Sequence, residues 1–356
     1  MKIVIKVGTQ SILSQDGTPF EPVMLSLVEQ IVHLQKEGNF VVLVSSGAVG
    51  SGRKAARELL GREYGTSLAE KQVLAAIGQP ALIQLYAAMF HSHKYLAAQL
   101  LLTKQDFHTR QHYLNIARLL REIEHHKNII PIINENDSVA IEELMFTDND
   151  EVAGLIAAQI NADKLIIISN VAGVYDKHPS DPSAKIIPLI DPEIEWPEVS
   201  ATKSTHGRGG MTSKLATAQK MANLGITTHI ASVDTSSVIL RLVAGESLGT
   251  TILSRKKKSN IKRWMAYSNE RQAGSITVNG CLFEILQDKE RVLSILPVGI
   301  THCLGEFKKG DLVEIINPHG EKIGIGIAKY DANRLHEYLG KKDKPEFIHY
   351  DHLHIF

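Results

Sequence analysis

Two lysines in this sequence lie beside glycine-rich stretches, a combination that favours anion binding. Lys6 precedes Gly8 in "KVGT", and Lys214 closes "GRGGMTSK" at 207–214. Glycines let backbone N–H groups approach an anion, and the positive end of a following helix adds to the attraction. In a P-loop the lysine precedes the Ser or Thr, whereas Lys214 follows both. The second stretch therefore indicates a phosphate site of another design, or else a flexible, capped loop. Lys6 either faces an anion or extends to solvent from an edge strand.

A third glycine-rich stretch and two polar clusters accompany the lysines. "SSGAVGSG" at 45–52 can bring backbone N–H groups to a phosphate or a carboxylate. Acids and amides are concentrated in "IINENDSVA" and "FTDND", which supply Asn134, Asp137, Asp148, Asn149 and Asp150. One residue of "TDND" can simply cap a helix, but four such residues exceed what a cap needs. Acids, amides and lysines around anion-binding loops suit phosphoryl transfer, in which positioning and charge neutralisation provide the catalysis.

Strands and helices alternate through about residue 255, which predicts an α/β fold. The predicted strands are 3–7, 40–45, 97–102, 129–133, 164–169 and 228–232. The predicted helices are 22–37, 69–90 with a break or kink at Gly78 and Pro80, 109–124, 150–161 and 213–223. We expect a three-layer αβα sandwich with a mostly parallel sheet. Ligands bind such sheets at the carboxyl ends of the strands, where the polar stretches lie.

The pattern changes after the charged stretch "SRKKKSNIKR". Short strands with closely spaced Gly, Asn and Pro turns follow, which predicts a small all-β barrel. We therefore expect a catalytic domain at 1–255, a linker at 256–265 and the barrel at 266–356. The lysines at 256–258 fit a solvated linker better than a basic patch.

Composition excludes several classes of protein. The chain has 356 residues, enough for about two domains, and its 39 basic residues balance 39 acidic ones, so no overall field recruits nucleic acid or an anionic membrane. Cys281 and Cys303 stand apart, which argues against a disulfide framework or a zinc site. The N-terminus lacks the apolar region of a signal peptide, and no run approaches the roughly 18 apolar residues of a membrane span. We expect a cytoplasmic protein.

Taken together and in this order, the polar and glycine-rich stretches resemble the glutamate 5-kinases of the amino acid kinase family. The stretches are "KVGT", "SSGAVGSG", "KQVLAAIGQPALIQLY", "PIINENDSVA", "TDNDEVAGLIA" and "GRGGMTSK". The last 91 residues resemble a PUA domain. The resemblance implies the amino acid kinase fold and, with Mg²⁺, the reaction of ATP and L-glutamate to L-glutamyl 5-phosphate and ADP, which starts proline synthesis.

The resemblance also implies roles for individual residues. The catalytic residues would be Lys6, Lys214 and Asp150, the last organising the two lysines. The glutamate would contact Ser46, Gly47, Asn134, Asp137, Asp148 and Asn149. ATP would contact Lys6, Gly8, Ser169, Asn170, Arg208, Gly209, Gly210, Met211, Thr212, Ser213 and Lys214. No protein ligand for a metal is assigned. Ser169-Asn170 stands where the family commonly has Thr-Asp, which leaves nucleotide preference open because an amide donates as well as accepts.

Partners follow from the same resemblance. It implies a homo-oligomer, either dimer or tetramer, feedback inhibition by proline, and transfer of the product to glutamyl phosphate reductase. RNA binding has little support, because acidic residues in 266–356 are at least as numerous as basic ones. The alternatives are a sister kinase acting on aspartate, acetylglutamate, carbamate or UMP, and an RNA-binding regulator built on a degenerate kinase.

Overall fold

The computed structural model describes residues 1–108, 110–139, 148–178, 181–194, 196–197, 210–255, 273–287 and 293–355. The chain divides into two compact units. The first contains 1–106 and 115–257, and the second contains 107–114 and 258–356. The domain and linker boundaries drawn from the sequence stay predictions.

The first unit is built on an eight-stranded sheet. Its strands are β1 (Lys2–Val7), β2 (Phe40–Ser45), β3 (Leu96–Leu102), β4 (Ile129–Glu135), β5 (Lys164–Ser169), β6 (Leu189–Ile190), β7 (Thr227–Ser232) and β8 (Thr250–Ile252). Their order is β3-β4-β2-β1-β5-β7-β8-β6. The described pairings are parallel except that of β7 with β8, which confirms the mostly parallel sheet. The sequence missed β6 and β8, which are too short to show a pattern.

Helices connect these strands. They are α1 (Thr9–Ile12), α2 (Glu21–Lys36), α3 (Ala48–Leu60), α4 (Leu68–Ser92), α5 (Gln105–His108), α6 (Arg110–His125), α7 (Asn149–Ile160), α8 (Met211–Asn223) and α9 (Val238–Val243). Of these, α7 and α8 begin at the two polar stretches "TDND" and "GRGGMTSK".

The central strand β1 shows how the layers form. Successive side chains of a strand face opposite sides of the sheet. Ile3, Ile5 and Val7 belong to the core shared with α2 and α4. Lys6 faces the other side, where it pairs with Asp150 of α7. Because α7 also packs beside β1 and α8 beside β7, helices cover both faces, and the predicted three-layer αβα arrangement is confirmed.

Helix α4 runs through Gly78 and Pro80 without interruption, so a break there is wrong, while the alternative of a kink stays a prediction. An 18-residue window of this helix has a mean hydropathy of 1.6, enough by length and composition to cross a membrane. The expectation that no such run exists is therefore also wrong. Because Leu82, Tyr86 and Phe90 are buried in the core of the sheet, we interpret α4 as a core helix, whose packing outweighs its local helix breakers.

The second unit contains a five-stranded sheet in the order β10-β9-β11-β12-β13, with β9 (Gly274–Val278), β10 (Ile300–Leu304), β11 (Leu312–Ile316), β12 (Lys322–Ile327) and β13 (Leu353–Ile355). Two helices, α10 (Gly280–Gln287) and α11 (Ala332–Tyr338), accompany it. The strand pattern did not predict these helices, since each is shorter than the window in which helical periodicity becomes visible. Phe307, Tyr330 and Phe347 form the aromatic centre of its core.

Candidate active site

The side chain of Asp150 lies between the two lysines singled out in the sequence. Its Oδ1 is 2.7 Å from Nζ of Lys6, and its Oδ2 accepts a hydrogen bond of 3.0 Å from Nζ of Lys214. Asp150 is 0% exposed, and both lysines are buried. β1, α7 and α8 therefore each supply one charged group, and the two ammonium groups share the single carboxylate of Asp150.

Asp150 stays ionised in spite of its burial. Burial alone would raise the pKa of this carboxyl group, but the charges and hydrogen bonds of Lys6 and Lys214 outweigh it, and the pKa lies below its usual value. A carboxylate without these partners would be very unfavourable in such a place. Each ammonium group has three donors, so both lysines can hold Asp150 and still donate to a bound anion.

Asp148 caps the helix that carries Asp150. Its Oδ1 accepts hydrogen bonds from the backbone N–H groups of Asp150 at 2.9 Å and Glu151 at 3.2 Å, which is the N-cap arrangement. The helix-cap interpretation of "TDND" is therefore correct for Asp148. Its other oxygen, Oδ2, is buried without a hydrogen-bond partner in the described part of the chain, so it remains available to a ligand.

The environment of Asp148 opposes its ionisation. Burial raises the pKa of its carboxyl group, and the neighbouring charge of Asp150 raises it further; together they outweigh the opposite effects of a hydrogen bond with Ser213 and of the charges of Lys6 and Lys214. The pKa values of Asp148 and Asp150, at the start of α7, thus shift in opposite directions. Opposed shifts of this kind are typical of functional sites, although structural ion pairs also produce them.

An amide network lies next to the lysine cluster. Nδ2 of Asn149 donates to Oγ of Ser46 and to Oδ1 of Asn134, both at 2.9 Å. The structure thus brings together residues from α7, from the segment after β2, and from β4. Among the described residues, Nδ2 of Asn134 and Oδ1 of Asn149 are buried without partners. Because Asn149 and Asp150 are consecutive, the first turn of α7 joins this network to the lysines.

Two further residues predicted to contact glutamate follow the strands β2 and β4. Gly47 separates Ser46 from α3 and has a φ of +113°, a left-handed conformation that favours glycine. Asp137 lies in the turn after β4.

The glycines of "SSGAVGSG" do not form one anion-binding loop, as the sequence suggested. Only Gly47 precedes the helix. Gly50 and Gly52 lie within α3, where a Cβ on Gly50 would meet Leu13 at 2.8 Å and one on Gly52 would meet the carbonyl oxygen of Leu74 at 1.8 Å. Close packing against a backbone therefore requires Gly52, whereas a shift of the Leu13 side chain could accommodate a Cβ on Gly50.

Helix α8 presents its N-terminus beside Lys214. It begins after Gly210 without a side-chain cap from the described residues, which leaves first-turn N–H groups at Met211, Thr212 and Ser213 available for an anion. Lys214 lies in the same turn, where the helix dipole alone would disfavour a cation, and Asp150 compensates for this. The predicted ATP residues Arg208 and Gly209 lie outside the described residues.

The remaining predicted nucleotide residues follow β1 and β5. The N–H of Gly8 donates to the carbonyl of Ile168 at 3.2 Å, which holds the "KVGT" turn against β5. Oγ of Ser169 donates to Oδ1 of Asn170 at 3.3 Å, and Nδ2 of Asn170 donates to the side chain of Gln10 at 2.8 Å. The sequence interpretation missed Gln10, whose only signal was its place directly after "KVGT".

Sequence comparisons relate the chain to known proteins. The amino acid kinase family profile matches residues 1–232 and the PUA domain profile matches 285–348. The chain is 40% identical over 358 residues to the glutamate 5-kinase of Bacteroides thetaiotaomicron, covering 99% of this chain and 98% of the relative. It is 41% identical over 356 residues to that of Chlorobaculum tepidum, covering 99% and 97%. The chain belongs to the glutamate 5-kinase family. The resemblance drawn from the motifs is confirmed, while the roles of individual residues stay predictions.

In this member of the glutamate 5-kinase family we expect Asp148→Asn to stabilise the unliganded protein at pH 7. Because the pKa of Asp148 is raised on folding, the folded state binds more protons than the unfolded chain above the usual aspartate pKa of about 3.9. Wild-type stability therefore falls as pH rises through that interval. Asparagine keeps the cap without the charge, so its advantage in urea unfolding should shrink as pH falls toward 4.

Asp148→Ala is the matched control, since it removes both the charge and the cap and should lose about 1 kcal/mol of cap stabilisation relative to Asp148→Asn. An asparagine variant that is less stable than wild type at pH 7, or a difference that does not change with pH, would contradict the account.

Proposed function

We propose that this chain transfers the γ-phosphoryl group of ATP to the γ-carboxylate of L-glutamate, giving L-glutamyl 5-phosphate and ADP. One observation carries the proposal. Asn149 and Asp150, consecutive in α7, join an amide network to a pair of buried lysines. Relatives at about 40% identity over nearly the whole chain bear the name glutamate 5-kinase, which supports glutamate over the substrates of the sister kinases.

The chemistry needs no general base. The γ-carboxylate of glutamate has a pKa of about 4.3 and is ionised at neutral pH. One of its oxygens attacks the γ-phosphorus, and the bond from that phosphorus to the β,γ-bridging oxygen breaks, so that ADP leaves with the electron pair. The main obstacle is electrostatic repulsion between the carboxylate and the phosphates, which positioned cations reduce.

The lysine cluster provides this charge. Nζ of Lys6 and Nζ of Lys214 lie on the two oxygens of one carboxylate, so Asp150 fixes their separation. In the proposed site both lysines donate to the transferring phosphoryl group, and the N–H groups at the start of α8 bind the adjoining phosphates. Lys6 and Lys214 are the proposed catalytic residues, with Asp150 as the residue that positions them.

The amide network provides the acceptor site. Its unpartnered atoms include a donor, Nδ2 of Asn134, and an acceptor, Oδ1 of Asn149, and the neighbouring Asp148 adds a second acceptor, Oδ2. An amino acid presents both kinds of partner, since its carboxylates accept and its ammonium group donates. We propose that Asp148 binds the ammonium group of glutamate, and that Ser46 and Asn134 bind its carboxylates.

Kinases use ATP with a divalent metal, which we propose is Mg²⁺. Within the described residues, no group of three or more His, Cys, Asp or Glu side chains could hold a metal ion, and both oxygens of Asp150 already face lysines. This donor set fits Mg²⁺ that enters on the ATP phosphates, where it would neutralise part of their charge. Oligomeric state, proline inhibition, transfer to glutamyl phosphate reductase and a cytoplasmic location stay predictions.

The proposed reaction can be tested by trapping the acyl phosphate with hydroxylamine. We expect ATP-dependent hydroxamate with L-glutamate and little or none with aspartate or acetylglutamate. The absence of product with glutamate and Mg²⁺-ATP would refute the proposal, and equal yields from aspartate would point to a sister kinase instead.

The role of the lysine pair can be tested with Lys214→Ala. We expect kcat to fall about 100-fold or more, because one positioned donor to a developing charge typically contributes 10²–10³. Solubility and the circular dichroism spectrum should be retained, since Asp150 keeps Lys6 as its partner.

Lys220→Ala is the matched control, because Lys220 lies on the exposed side of the same helix. It should keep wild-type activity. If Lys214→Ala loses soluble protein and activity in equal measure, Lys214 has a structural role.

A further inference from the structure

Helix α4 packs against both ends of the segment Ser45–Ala48, which connects β2 to α3 and carries Ser46. At one end, the hydroxyl of Tyr86 lies 3.0 Å from Oγ of Ser45. At the other end, Gly78 approaches the backbone of Ala48 so closely that a Cβ on Gly78 would lie 1.8 Å from the Ala48 carbonyl oxygen. The two α4 residues are eight positions apart, which is about 12 Å along one helix face.

The contact at Gly78 fixes the start of α3. Gly52 of α3 makes the reciprocal approach, since a Cβ there would lie 1.8 Å from the carbonyl oxygen of Leu74. Neither glycine has a left-handed φ, so close helix packing and not backbone conformation requires them. The N-terminus of α3, one residue after Gly47, is therefore held directly on the backbone of α4.

The contact with Tyr86 orients Ser45, the residue that precedes Ser46 of the amide network. Tyr86 is fully buried, and burial raises the pKa of its hydroxyl to about 12, so the group is neutral and can donate. The Ser45 hydroxyl donates its single proton to the carbonyl of Ser46 at 3.1 Å, and it therefore accepts from Tyr86. This chain of hydrogen bonds ends on the backbone of Ser46, whose Oγ accepts from Asn149.

The same helix also reaches the other wall of the acceptor site. Nε2 of Gln79, a buried residue, donates to the carbonyl oxygen of Glu135 at 3.3 Å. The N–H of Glu135 in turn donates to Oδ1 of Asn134, which accepts from Asn149. Helix α4 thus contacts residues adjacent to both Ser46 and Asn134 in the sequence. Ser46 and Asn134 are the two residues to which Asn149 donates hydrogen bonds.

We propose that α4 is a positioning element for the acceptor side of the site, with Tyr86 as its principal positioning residue. The inference rests on the proposed function, because it assigns the acceptor side to glutamate. The Lys6, Asp150 and Lys214 contacts are made by β1, α7 and α8. A change in α4 should consequently alter the binding of glutamate and leave that of ATP nearly unchanged.

Tyr86→Phe tests this with the removal of one oxygen atom. One buried hydrogen bond contributes about 1 kcal/mol, so its loss should reduce the fraction of protein with a competent Ser45–Ala48 segment and raise KM for glutamate up to about fivefold. The kcat value and KM for ATP should stay within about twofold of wild type, because ATP binds to other elements. Tyr95→Phe is the control, since Tyr95 is buried in the same core and follows α4.

Ser45→Ala completes a double-mutant cycle. Ser45→Ala also removes the hydrogen bond to the Ser46 carbonyl. If the Tyr86 hydroxyl acts through Ser45, the double variant should raise KM for glutamate by about the same factor as Ser45→Ala alone. A double variant whose KM for glutamate rises by the product of the two single-variant factors would overturn the inference. So would a Tyr86→Phe protein that unfolds more easily but keeps the wild-type KM, or a Tyr95→Phe protein with the same rise.

The wild-type protein in the same assay separates the two proposals. If wild type forms acyl phosphate from glutamate and Tyr86→Phe has an unchanged KM, the inference about α4 fails and the proposed function stands. If wild type forms none, both fail.

Discussion

The fully buried carboxylate of Asp150 determines how the rest of the site is built. A buried charge is tolerated only with close partners, and here the partners must come from elements far apart in sequence, β1 and α8. The ends of β1, α7 and α8 are therefore required to meet at one point. Asp150 thereby has partners for its own charge and fixes the positions of both lysines. An arrangement that stabilises the fold is in this way also the basis of the proposed phosphate site.

The first turn of α7 has three tasks in three consecutive residues. Asp148 caps the helix, Asn149 organises the amides and Asp150 pairs the lysines. Placing these three roles side by side costs free energy. Burial and the like charge of Asp150 oppose the ionisation of Asp148, and buried polar atoms have no hydrogen-bond partner within the described residues. Such atoms disfavour the unliganded state, and a ligand with both donors and acceptors can satisfy them.

Local sequence predicted the strands that end at the site, since buried parallel strands appear as short β-branched runs and polar residues follow each one. It also indicated Asp150 and both lysines, although not their distances. Contacts that depend on tertiary packing escaped prediction. From the sequence, Gly52 suggests a loop and Gly78 a helix break, whereas in the structure both allow the close contact of α3 with α4. Pro80 also suggests a break, but α4 continues through it because its packing in the core outweighs the local preference. The hydroxyls of Tyr86 and Ser45, 41 residues apart, carry no sequence signal of their partnership.

The central claim is that Asp150 places two lysines on the phosphoryl group during transfer. A crystal structure with ADP, Mg²⁺, L-glutamate and aluminium fluoride, which mimics that group, tests it most directly. The account predicts Nζ of Lys6 and Nζ of Lys214 both within about 3 Å of the fluoride ligands, with Asp150 still in contact with each lysine. A complex in which either lysine lies away from the fluoride, or in which Asp150 contacts only one of them, would contradict it.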